Sequence, residues 1–91
     1  MEIEEAQEAM ARLLGRCMAA EKALQTLIGS PQPNVSLSQL LKTNLTMRRQ
    51  SLAADVSALG IPAKFLPVAI SAFVAQERSI DRGVSGGRYL P

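Results

Sequence analysis

The stretch IEEAQEAMARLLGRCMAAEKALQTLI, residues 3 to 28, repeats its apolar residues without a proline to interrupt them. Ile3, Met10, Cys17 and Leu24 stand seven positions apart, and Ala6, Leu13, Ala20 and Leu27 fill the row three further on. These are the a and d rows of a heptad seam, which a helix gathers onto one face. Leu14 and Ile28 widen the seam on its e side. Glu2, Glu4, Glu5 and Glu8 crowd the first two turns, where negative charge meets the positive end of the helix dipole, so the acidic start needs no acidic function. Gly29, Ser30 and Pro31 end the helix.

Ala alternating with Leu along the d row lets a second helix approach closely at the Ala levels, while Leu fills the levels between. Two arrangements use such a face: the core side of an intramolecular bundle, or an interface with a helix of another chain. The apolar share of 47% exceeds what three helices of this size readily hide. We therefore expect a dimer with Ile3, Met10, Leu13, Cys17, Leu24 and Leu27 in its seam.

Outward from this helix, SPQPNVSLSQ reads as a loop by its prolines and small polar residues. Ser36 followed by Gln39 has capping-box spacing and starts a second helix. Its apolar face is marked by Leu37, Leu41, Leu45, Leu52, Val56 and Leu59, with Leu40 and Met47 alongside. Arg48 falls in the middle of this stripe, with its stem expected to pack and its head to reach water. Gly60 is a C-cap, and Ile61 is placed to contact the last turn. Pro62 and Pro67 leave two options, a short turn over residues 62 to 65 or a helix beginning near Leu66. That third helix is expected to end near Ser79 and to bury Phe65, Leu66, Ile70, Phe73 and Val74. From Ile80 onward, IDRGVSGGRYLP has no period and reads as a flexible tail, with Tyr89 and Leu90 beside Arg88 as a candidate docking peptide.

The expected fold is all-α. A long N-terminal helix and a second amphipathic helix form a hairpin, a shorter third helix completes a single domain over residues 1 to 79, and residues 80 to 91 trail from it. The expected assembly is a helical-bundle dimer. Composition agrees with helices, because aromatics are only 3% of the 91 residues and the core must be built from Leu, Ile, Val, Met and Ala.

Chemistry is constrained by what the chain lacks. It has no histidine and one cysteine, Cys17, which excludes a Cys/His zinc site, a His-based triad and an internal disulfide. Inside an apolar stripe, Cys17 reads as a small core residue. Outside the acidic first turns the carboxylates are Glu21, Asp55, Glu77 and Asp81, and no pair has a context that would bury one beside the other. The glycines of GVSGGR follow a helix rather than a strand, which removes a phosphate-loop reading. We expect no enzymatic activity and no cofactor. The acidic N-terminus lacks the order of a secretory signal, and Phe65 to Ala75, the longest apolar run, is too short for a bilayer and contains Pro67. The expectation is a cytoplasmic protein that does not enter membranes.

A nucleic-acid reading starts from SLAADVSALGIPAKFLPVAISAF, residues 51 to 73, whose outline of helix, glycine turn and helix resembles a helix-turn-helix. It departs from that pattern at Val56, where a small alanine is usual, and at Pro62, where Ser or Thr precedes the reading helix. Of the residues after the turn only Lys64 is a strong donor. Charge is unevenly spread: residues 1 to 21 carry a balance of −3 and residues 22 to 91 a balance of +5. Lys42, Arg48 and Arg49, extended by Arg78, Arg82 and Arg88, would form a phosphate-facing patch or simply a solvated helix face. The preferred reading is a protein-binding module acting as adaptor, regulator or inhibitor, with Phe65, Phe73, Arg48, Arg49 and Tyr89 facing the partner. A helix-turn-helix-like DNA-binding regulator using residues 51 to 73 is the alternative.

Overall fold

The computed structural model describes residues 2 to 29 and 36 to 85. Among them the regular elements are all helical: α1 Ile3–Gly29, α2 Leu37–Arg49, α3 Leu52–Ala58 and α4 Leu66–Ser85, with one 3₁₀ turn at Ala63–Phe65. The body is elongated, 48 × 22 × 17 Å. Its main interface runs between α1 and α4, the first and last helices, and α2 packs on both. The expected hairpin of the first two helices is thus a secondary contact.

The inward face of α1 is not the heptad seam. Its buried residues are Ala11, Gly15, Ala19, Ala23 and Thr26, most of them four apart and nearly all small. Small side chains allow two helix backbones to touch, and at Gly15 they do: a methyl group there would overlap the carbonyl oxygen of Ala69 and come within 3.0 Å of the Phe73 nitrogen. The space around this contact is filled from the other helices. Leu41, Leu45, Leu52 and Phe73 close over Ala19 and Ala23, and Val56, Ile61 and Ala69 close over Ala11. Thr26 is satisfied twice, donating to the Lys22 carbonyl at 2.8 Å and accepting from Asn44 Nδ2 at 2.9 Å, which ties α2 to α1.

Ser36 caps α2 as its spacing requires, accepting from the Gln39 amide at 3.0 Å. The helix does not continue to residue 59 as one piece. At Gln50 and Ser51 it turns: the Ser51 amide donates to the Arg48 carbonyl at 3.0 Å, and the Ser51 carbonyl accepts from Ala54 at 3.1 Å and starts α3. Residues 48 to 51, RRQS, offer no apolar side chain to hold a straight helix on the core. The bend keeps Leu45 and Leu52 both buried while aiming Val56 at the second core cluster.

Gly60 ends α3 at φ +74°, a conformation that costs glycine nothing. The Ile61 amide donates to the Val56 carbonyl and the Gly60 amide to the Ser57 carbonyl, each at 3.0 Å, a Schellman pair with Ile61 buried behind it. Both options for the proline segment are realised in sequence: the 3₁₀ turn covers residues 63 to 65 and α4 begins at Leu66. Pro67 then sits in the first turn, where a missing N–H is harmless.

The third helical stretch is longer than its composition suggested. It runs to Ser85 rather than Ser79, so residues 80 to 85 belong to the folded body. Ile80 follows Phe73 by two turns and packs on the same cluster, and Gly83 is buried. Arg88, Tyr89 and Leu90 lie outside the described residues. Ile70, expected in the core, is 37% exposed, because the buried face of α4 is centred on Ala69 and Phe73.

Candidate functional site

The surface that stands out is the outer face of α1. At about 100° per residue, the face centred on Gly15 and Ala19 and the heptad seam point nearly opposite ways. With α4 and α2 covering the small residues, most of the large ones are left outside: Ile3 is 76% exposed, Leu13 56%, Leu24 58% and Ile28 77%, with Met10 and Leu27 also exposed, whereas Met18 and Leu14, the latter expected to widen the seam, turn inward and pack on the core. Cys17 lies among them and is exposed, so it is no core cysteine within this chain. An ordinary surface helix buries its large apolar residues and shows its polar ones. Here α1 is apolar on both sides, and the side carrying more apolar area faces outward.

The six seam residues therefore share one uncovered face, flanked by Arg16 on one edge and Glu21 on the other. The stripe presents roughly 600 Å² of apolar side chain, the upper end of what a monomer leaves uncovered. Among the described residues, no helix covers this face.

The residues expected to meet a partner elsewhere are placed differently. Phe73 is completely buried and its side chain has nothing to offer a partner, which corrects its assignment to an exposed face. Phe65 is half-buried against the second core cluster, with the Lys64 ammonium 5.3 Å from its ring centre. Arg48 does not send its head into water. Its Nη1 touches Asp55 Oδ2 at 2.7 Å across the α2–α3 bend, a charge contact in which the N–H is not aimed at the oxygen, and its Nη2 lies 2.8 Å from Met18 Sδ. Arg49 donates from Nη1 to Glu77 Oε1 at 3.2 Å.

These pairings bear on the nucleic-acid reading. Arg48, Arg49 and Lys64, the three cations closest to that reading, are matched inside the chain, Lys64 by Glu4. Lys42 is exposed, but it shares its cleft of about 490 Å³ between α2 and α4 with Glu77 and Asp81 as well as Arg78. Mixed charge of this kind does not concentrate phosphate. The end of the 3₁₀ turn and the start of α4, where a reading helix would meet bases, carry Phe65, Leu66 and Pro67.

A second depression, about 560 Å³, runs between α1 and α4 over Val68, Ala72 and Ala75, with Arg12 and Arg16 along one wall. It is shallow, and the two arginines are the charged residues that line it, with no carboxylate beside them. Among the described residues no three Cys, Asp or Glu side chains come together as a metal site, and no helix is long and apolar enough to cross a membrane.

Sequence reasoning found the seam but not the residues that force it outward. Their signal is present, as Ala11, Gly15, Ala19 and Ala23 at intervals of four, a row of small residues that permits close helix packing. No protein-family model, no curated protein and no solved structure matches this chain.

Proposed function

We propose that the chain is a non-enzymatic protein-binding module, an adaptor, regulator or inhibitor, and that its binding element is the outer face of α1. One observation carries the reading: a helix spanning about 40 Å presents most of its large apolar residues away from its own core. Burying such a stripe is favourable in proportion to its area and is not screened by salt. The expected dimer uses this same face. Cytoplasmic residence is part of the same proposal.

The test is affinity capture with the full chain as bait, compared with the Leu13→Glu/Leu24→Glu double variant. Captured protein should survive nuclease treatment and moderate salt and be lost from the double variant, while Lys42→Ala/Arg78→Ala should capture as well as the parent. Retention of nucleic acid as the main ligand, or undiminished capture by the double variant, would sink the proposal.

A further inference from the structure

Resting on the reading that the outer face of α1 binds protein, we propose that its occupant is a second copy of this chain, laid antiparallel along the seam about a two-fold axis near Gly15. Three observations support that choice. The first is area. Roughly 600 Å² of apolar stripe on each copy gives about 1,200 Å² across a pair, the lower bound of a standard stable interface.

The second is the order of large and small residues. Antiparallel pairing sets each a residue opposite a d residue of the other helix. With the axis near Gly15, Leu13 meets Cys17 of the second copy, Met10 meets Ala20 and Ala6 meets Leu24. The three layers on each side of the axis then hold one large and one small side chain, so the helices keep a constant spacing through the middle of the pair, and only the outermost layer, Ile3 against Leu27, sets two large side chains together. A parallel pair would set Ala6 against Ala6 and Leu13 against Leu13, alternating voids with crowding, and voids forfeit contact energy.

The third is charge. The first half of α1 carries Glu2, Glu4, Glu5 and Glu8 against Arg12, while the second half carries Arg16 and Lys22 against Glu21. Parallel pairing brings the two acidic halves together. Antiparallel pairing sets each beside the weakly basic half and opposes the helix dipoles. Its one cost is Arg16 near its own copy at the axis, and that guanidinium is exposed to screening solvent.

The experiment measures mass by light scattering at high protein concentration, with circular dichroism to verify folding. The full chain is expected to be a dimer, and Leu13→Glu to raise its dissociation constant about 100-fold or more without loss of helicity, since each pair would bury two unpaired carboxylates. Leu13→Met, which conserves the apolar character, should remain dimeric. Orientation is read by spin labels on Glu5→Cys in a Cys17→Ser background: antiparallel helices separate the two labels by roughly 30 Å along the axis, whereas parallel helices hold them side by side. A short label distance, or a dimer unaffected by Leu13→Glu, overturns the inference. A monomer that still captures a different protein through Leu13 and Leu24 also overturns it while leaving the protein-binding proposal standing; a monomer with no seam-dependent capture defeats both.

Discussion

Gly15 of α1 lies flush against the backbone of α4 at Ala69, with no room for a single methyl group between the two helices. The contact fixes their separation, and everything large in the core is arranged around it.

Gly15→Ala is therefore expected to destabilise the fold by about 2 kcal/mol, although alanine is the better helix former by about 1 kcal/mol, because overlap with a carbonyl oxygen pushes the whole α1–α4 interface apart. Urea titration followed by circular dichroism measures the difference. Gly29→Ala is the control, since nothing lies within 4 Å of that position and no loss of stability is expected there.

Gly60 tests conformation without crowding. No atom lies within 4 Å of a methyl group there, yet φ is +74°. Gly60→Ala should cost about 1 kcal/mol from the left-handed backbone alone. Asparagine, which tolerates that region, should cost less. Equal melting temperatures for parent, Ala and Asn forms would remove the argument.

Phe73 is the largest fully buried side chain, and Phe73→Ala should remove about 3 to 5 kcal/mol, as much as the whole stability of a domain at the lower end of the usual range. Loss of helicity in that variant would report collapse of the core, not loss of a binding contact. Phe65→Ala, at a half-buried position, should remain folded.

Arg48 and Asp55 bridge the bend between α2 and α3. Both side chains are less than a third exposed, 21% and 28%, so their coupling is expected near 1 kcal/mol and is expected to weaken in high salt. A double-mutant cycle with Arg48→Met and Asp55→Asn measures it. A coupling of zero would make the bend a property of its backbone alone.

What was legible in the sequence was local. The cap at Ser36, the turn at Gly60 and the proline-started helix depend on a few neighbouring residues, and each stands where its chemistry puts it. The bend at Gln50 and Ser51 was not legible, because nothing in RRQS breaks a helix; the position of Val56 against α1 and α4 sets it. The heptad seam is the strongest apolar pattern in α1, yet the core took the weaker face, since Gly15 and three alanines permit a backbone approach that leucines forbid. Ile70 and Phe73 were both expected inside and only Phe73 is fully buried, for the same reason: periodicity marks a broad face, and packing selects its centre. Ile80 outweighed the glycines after it, so α4 outran its apparent end.

The contact of residue 15 with residue 69 also governs the order of events in folding. Contacts so distant along the chain form only after a long loop has closed, and that closure slows folding relative to a bundle of neighbouring helices. During synthesis α1 leaves the ribosome long before α4, so for that interval both of its faces are bare and self-adhesive. A chain stopped before Leu66 would keep its outer face bare and its inner face only partly covered by α2 and α3, without Ala69 or Phe73 to close over Gly15. Such a truncation is expected to aggregate rather than persist as a smaller folded domain.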